Sequence, residues 1–152
     1  MSAIDIQSLV PHSGAMSLLG HLLAADGETL SAAVEINALS MFCEGGVVGA
    51  WVGVEYMAQA VAAHAGYCAR LRGEPVRVGF LLGTRRYACS VAAFAVGTVL
   101  HIHVERALQG ENGLGAFDCR IVDAGSGAEL ATATITVYQP NDVEQFLQRS
   151  SE

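Results

Sequence analysis

The sequence contains no lysine. All eight positive charges are arginines, set against fifteen acidic residues for a net charge of −7 over 152 residues. Nucleic-acid binding relies on clustered cations that displace counterions from phosphates, so no nucleic-acid partner is expected. Charged residues of both signs make up only 15% of the chain, and there are three prolines and one tryptophan. Four cysteines, Cys43, Cys68, Cys89 and Cys119, include no C-x-x-C pair, so they are expected as free thiols in a reducing cytoplasm. The opening residues MSAIDIQSLV lack the basic start and long apolar stretch of a secretory signal, which agrees with a cytoplasmic location.

Five of the arginines, Arg70, Arg72, Arg77, Arg85 and Arg86, fall within seventeen residues. A local guanidinium patch on an acidic chain suits a phosphate group or an acidic partner surface, with Arg85 and Arg86 as candidate partner contacts. A solvated face following an apolar helix would give the same pattern.

Small and apolar side chains are in excess. Counting Gly and leaving out Tyr, they reach roughly 60% of the chain, against about 45–50% in ordinary domains. A surplus of this size predicts an oligomer, and the length predicts one compact domain over 1–152 with a polar tail from 141. The longest apolar stretch, residues 45–69, reads GGVVGAWVGVEYMAQAVAAHAGYCA and is broken by Glu55, Gln59 and His64. At helical spacing Glu55 and Gln59 share a face one turn apart, while His64 lies on the opposite side. The stretch is long enough to span a bilayer, but the three polar side chains would sit near mid-membrane without partners. A helix buried in protein is predicted instead, with no face left to turn Glu55 outward. A carboxylate in such a setting needs a use, because burying it unpaired costs several kcal/mol.

Around that helix the sequence reads as strands. Residues 16–23 and 30–37 precede it, with Asp26-Gly27 as their turn; residues 76–88, 98–107, 114–122 and 129–138 follow. Leu100, Ile102 and Val104, then Phe117, Cys119 and Ile121, then Ala131, Ala133, Ile135 and Val137 alternate with polar residues, as in strands with one buried face. Short connections predict antiparallel neighbours. The fold class is therefore α+β, an antiparallel sheet wrapped around one long central helix, with uncovered sheet edges that invite a second subunit. A short helix over 141–149 is expected in the tail.

The residues then point to a family. Leu9-Val10-Pro11-His12 resembles the L-[LI]-P-H opening of the hotdog-fold β-hydroxyacyl-acyl-carrier-protein dehydratases of the FabA/FabZ type. Glu55-Tyr56-Met57-Ala58-Gln59 resembles their central-helix motif E-A-[LM]-A-Q. Val78-Gly79-Phe80-Leu81-Leu82-Gly83 is similar to their substrate-lining strand, and 79–87 is closer still to a branch associated with aryl polyene pathways. The resemblance implies a hotdog fold and a dimer whose tunnels are built from both chains. It also implies action on a 3-hydroxyacyl thioester of acyl carrier protein or coenzyme A, with no cofactor. In that chemistry a loop histidine removes the α-proton and the helix acid protonates the departing hydroxyl. By resemblance Glu55 is the acid and Gln59 its orienting neighbour. Gly45, Gly46 and Gly49 give close backbone approach to the thioester carbonyl near the helix N-terminus, and Phe80 and Leu81 line the substrate.

One element of the pattern is missing. The family's G-H-F-P-G histidine lies fourteen residues before the helix acid, which falls here on Met41, and no histidine occurs between His21 and His64. His12 is the best candidate for a substitute base, with a structural turn histidine as the alternative; Cys43 and Glu44 occupy the vacant loop. His101, His103 and Glu105 alternate on one strand and could face a metal ion, but the wet side of the sheet explains them more simply, and no metal is expected. Three functions stay open: a dehydratase with an atypical base, a non-catalytic subunit paired with an active hotdog paralogue, and an acyl-thioesterase using the helix carboxylate.

Overall fold

The computed structural model describes residues 18–74, 80–110 and 112–138. Six strands form one antiparallel sheet: β1 (His21–Ala25), β2 (Thr29–Glu35), β5 (Phe80–Cys89), β7 (Val99–Gln109), β8 (Leu114–Asp123) and β9 (Glu129–Tyr138), in the order β1-β2-β7-β8-β9-β5. Helix α1 (Gly53–Leu71) lies across one face of it. A second, three-stranded sheet of β3 (Cys43–Glu44), β4 (Val47–Gly49) and β6 (Ala93–Ala95) leads into the helix through a 3-10 turn at Ala50–Val52. This is the hotdog arrangement.

The alternating pattern explains how the layers meet. Leu30, Ala32 and Val34 of β2, Leu100, Ile102 and Val104 of β7, Phe117, Cys119 and Ile121 of β8, and Ala131, Ala133 and Ile135 of β9 all turn inward and are buried. Against them α1 places Tyr56, Met57, Ala60, Val61 and Ala63. With a side-chain period of two, a one-residue slip anywhere in this ladder would move the whole apolar set to water.

The structure corrects two sequence expectations at the helix. The apolar run from 45 is not α-helical until Gly53. Gly45 (φ 62°) and Gly46 (φ 81°) adopt left-handed backbone and make the two-residue turn of a hairpin in which Cys43 faces Val48 and Glu44 faces Val47. Val47 and Val48 then pair with Ala95 and Phe94, a strand the alternation in 91–97 did not announce. The helix is also not apolar on all sides in use: Glu55 is exposed, and the stripe of Val54, Ala58, Gln59, Ala62 and Ala65 beside it is only half-buried. The sheet covers one side of α1 and leaves this one open. Strand boundaries shift slightly: β1 starts at His21 rather than 16, and β5 is described from Phe80 because 75–79 lie outside the described residues, as does the expected tail helix at 141–149.

His64, on the covered side, is fully buried. Its Nε2 donates to the Asp26 carbonyl at 3.1 Å, Cys68 Sγ lies 3.6 Å from the same nitrogen, and the ring meets Phe117 edge-on with centroids 5.6 Å apart. It thereby ties the helix to the β1–β2 turn, whose own geometry is held by Asp26 Oδ1 accepting from the Glu28 and Thr29 N–H groups. Burial, and then the Arg106 guanidinium, hold the imidazole below its usual 6.5. The unfolded chain binds that proton more readily than the folded one, so the stabilisation is complete above the ordinary value and is lost as pH falls through it. The free energy of unfolding in urea is therefore expected to decrease between about pH 7.5 and about pH 5.5. His64→Gln, which keeps a donor for Asp26, should flatten that dependence; an unchanged slope would assign it elsewhere.

Candidate active site

The candidate site gathers where the small sheet hands over to α1. Glu55 stands in the first helical turn, where the exposed N–H groups favour a negative charge. Gln59, one turn on, donates from Nε2 to Glu55 Oε1 at 3.3 Å. Its Oε1 in turn accepts the Leu18 N–H at 2.7 Å. That second bond fixes the amide: a backbone donor requires the oxygen on its side, which turns the NH₂ group toward the carboxylate. The expected pairing of Glu55 with Gln59 is thus present, and the N–H of Leu18, a residue the sequence marked only as part of a strand, anchors it.

The approach to the helix is tightly built. A Cβ on Gly49 would lie 2.5 Å from Nε1 of the exposed Trp51 ring, which would have to move aside. Tyr87 of β5 reaches under the turn and donates to the Ala50 carbonyl at 2.5 Å, while the Ala50 N–H is taken by Ala92 at 3.0 Å. A Cβ on Gly53 would collide with that Tyr87 hydroxyl and with Ile121. Burial, and then Cys89, push the Tyr87 phenol upward, keeping it a neutral donor. Neither the 3-10 turn nor α1 has a side-chain cap; the Gly53 N–H bonds the Ala50 and Trp51 carbonyls instead. Gly45 and Gly46 are exposed at the hairpin tip, where the turn itself requires them.

Beside the site lies an uncovered apolar surface. Phe42 adopts φ 67°, a backbone region that is an outlier for a bulky side chain and marks strain. Its ring packs on Trp51 with centroids 5.2 Å apart. Leu39 is 95% exposed, Trp51 66% and Phe42 48%, with Val47 and Val96 also exposed. Met41, at the position where the family pattern has its histidine, sits in the turn just before Phe42. Tyr56 lies buried beneath, its phenol pushed up to about 12 by burial and then by the Cys43 thiol.

Other candidates fall elsewhere. His12 lies outside the described residues. Phe80 and Leu81 open β5, paired through the backbone with Tyr138 and Val137. Arg85 and Arg86 are exposed on the same edge strand at a bulge, and Arg72 pairs with Glu74 at 3.1 Å in water, an interaction worth little. His101, His103 and Glu105 point to the outer face, where His103 Nδ1 meets Ser31 Oγ at 2.5 Å. A groove of about 500 Å³ crosses that outer face, with Arg86 at its β5 end. It is on the side of the sheet away from Glu55. Among the described residues no group of three potential ligands could hold a metal ion, and no helix is long and apolar enough to cross a membrane.

The model of the ApeP-like family, described as ApeP dehydratase, matches residues 4–148. The chain belongs to this family. Among solved structures it is similar to the dehydratase heterocomplex ApeI:P from Xenorhabdus doucetiae, at 28% identity over 97% of this chain and 98% of that one, with a TM-score of 0.85. More distant likenesses share the fold. A hypothetical thioesterase from Streptococcus pneumoniae, solved with coenzyme A, has 15% identity over 78% of this chain and 84% of that one, with a TM-score of 0.63. Zebra fish thioesterase superfamily member 2 has 12% identity over 90% of this chain and 93% of that one, with a TM-score of 0.67. No curated protein sequence matches the chain. The expected dehydratase resemblance and hotdog fold therefore hold, and the ApeP-like assignment agrees with the aryl polyene branch.

The Tyr87–Gly53 contact sets where α1 begins in this ApeP-like chain, and it can be tested by stability. Gly53→Ala is expected to cost about 1–3 kcal/mol through overpacking, and Tyr87→Phe about 0.5–1.5 kcal/mol through the lost hydrogen bond. Because removing the hydroxyl also relieves the collision, the double variant should lose less than the two costs added together. Strict additivity in urea unfolding would show that the two residues do not meet.

Proposed function

We propose that the chain is one subunit of a 3-hydroxyacyl-thioester dehydratase, in which Glu55 supplies the acid and a second hotdog chain supplies the base. The observation that carries this reading is the oriented Glu55–Gln59–Leu18 array on the side of α1 that its own sheet leaves open. A catalytic carboxylate held in place but uncovered calls for a second surface to exclude water around it. The exposed Leu39, Phe42 and Trp51 beside it offer apolar area for that surface. The similar solved structure is a dehydratase heterocomplex, ApeI:P, which supports a paralogue over a second copy as the covering chain.

In the proposed reaction a histidine of the partner removes the α-proton, and the thioester carbonyl gathers negative charge against backbone N–H groups at the start of α1. The Glu55 carboxylic acid gives its proton to the 3-hydroxyl, which leaves as water, and a 2-enoyl thioester remains. Gln59 holds the Glu55 side chain toward the substrate; Gly49 lets the chain pass close to it. The acyl group is carried by acyl carrier protein or coenzyme A, in fatty acid or polyene biosynthesis, and the four free thiols agree with a cytoplasmic setting.

Glu55→Gln, in a complex with a paralogue bearing the G-H-F-P-G loop, should lower the rate of enoyl-thioester formation by at least about 10²-fold with assembly unchanged. The chain alone should be inert. Full activity of the Glu55→Gln complex would make this chain a non-catalytic scaffold, and thioester hydrolysis without dehydration would point to a thioesterase.

A further inference from the structure

A bulge in β5 lets two consecutive arginines share the outer face of the sheet. Arg85 faces Thr134 and Ala88 faces Thr132, so Arg86 and Tyr87 together stand opposite the single residue Ala133. Tyr87 turns inward to bond the Ala50 carbonyl. In an unbroken strand Arg85 would turn inward with it, because side chains alternate. The extra residue is accommodated at Arg86, whose φ of 57° is left-handed backbone that a non-glycine residue adopts only at a cost. Strain of this kind concentrates at binding sites and switches.

Arg86 lines the outer groove of about 500 Å³ together with Arg120. Arg120 faces Thr132 on β9, and Thr132 faces Ala88 on β5. The two arginines therefore stand on either side of β9, about 10 Å apart at the backbone, with Thr132 on the floor between them. Both are exposed, and among the described residues no ion pair engages either one. Burial, and then Arg120, hold the His103 imidazole below its usual 6.5, and its Nδ1 is taken by the Ser31 hydroxyl. The standing positive charges of the groove are thus the two guanidiniums. Glu105 and Asp118 lie further along it, where Asp118 accepts from the Thr134 hydroxyl at 3.4 Å. Arg85 is in line with them beyond Thr134, outside the residues that line the groove.

A guanidinium is a planar fork of N–H donors that matches the oxygens of a phosphate. Two such forks over a hydroxyl suit a group with three terminal oxygens and a double charge. The carboxylates nearby restrict what carries that group. They repel a broad acidic surface or a polyphosphate, and they accept hydroxyl hydrogens from a small uncharged body. Among the described residues lining the groove there is no Phe, Tyr or Trp ring on which a nucleobase could stack. We propose that this groove binds the phosphate monoester of a small polyhydroxy compound, a sugar phosphate, with the phosphate between Arg86 and Arg120 and the hydroxyls toward Glu105 and Asp118. The site is on the side of the sheet away from Glu55 and does not depend on the proposed dehydration.

Calorimetric titration of the full chain with glucose 6-phosphate, glucose and inorganic phosphate tests it. Glucose 6-phosphate should bind, inorganic phosphate should bind more weakly, and glucose alone should give no signal. Arg120→Ser and Arg86→Gly should each weaken glucose 6-phosphate at least about tenfold, because charge-assisted hydrogen bonds are lost. Arg86→Gly should do so without lowering the melting temperature, since glycine accepts left-handed backbone freely. Asp118→Ala should narrow the preference for glucose 6-phosphate over inorganic phosphate. Both arginines are exposed, and should one variant fail to fold the other still decides. Equal affinity for glucose 6-phosphate and inorganic phosphate overturns the proposal, as does tighter binding of AMP. Absence of binding, or binding that survives both arginine substitutions, overturns it too. A lower melting temperature for Arg86→Gly would show that the strained arginine serves the fold. Loss of acyl-carrier-protein binding in the same variants, with no sugar phosphate bound by the wild type, would make the face a protein contact instead.

Discussion

The central constraint in this molecule is that one apolar helix has only one side of its surface covered by its own chain. The sheet takes Tyr56, Met57, Ala60, Val61 and Ala63 out of water and stops there. Each such side chain contributes in proportion to the apolar area it hides, on the order of 25 cal/mol per Å², so the position and tilt of α1 are set by the sheet alone. The remaining stripe, with Glu55 and Gln59 on it, is left as a prepared surface. The small sheet of β3, β4 and β6 leads into the helix, and the Tyr87 hydroxyl of β5, with the absence of a side chain at Gly53, fixes where it starts.

Much of this was legible in the sequence because it rests on period. The inward sets of β7, β8 and β9 can be read directly as alternating residues, and β9 was placed at its full length. The pairing of Glu55 with Gln59 follows from a spacing of four. The start of α1 was not legible, because Val47, Val48 and Ala50 suit a helix, a strand or a turn equally well on an apolar background, and only the left-handed backbone at Gly45 and Gly46 separates them. The exposure of Glu55 was missed for a related reason. Alanine-rich stripes look buried by composition, yet they can just as well be surfaces waiting for another chain. Tyr87, bonding the Ala50 carbonyl, and the Leu18 N–H, bonding the Gln59 amide, act on partners more than thirty residues away, which no local pattern encodes.

The missing loop histidine gains meaning from its surroundings. Met41 is followed by a phenylalanine in left-handed backbone that leans on an exposed tryptophan. The loop is therefore shaped as an apolar contact rather than as a mount for a proton-transfer group, and placing an imidazole at 41 would not by itself supply the hydrogen-bonded partner that fixes a catalytic tautomer. A division of labour between two related chains fits a loop reworked in this way.

The bond from the Leu18 N–H to Gln59 has a consequence for how an assembly would form. Gln59 has few rotamers left once that bond is made, so its freedom is given up during folding and not at the moment of association. Side chains ordered beforehand subtract less from the affinity of a partner or substrate. Pre-organisation of this kind separates two quantities that are often coupled. In the proposed assembly a covering chain can dissociate and exchange readily, while Gln59 presents the same amide toward Glu55 in every encounter.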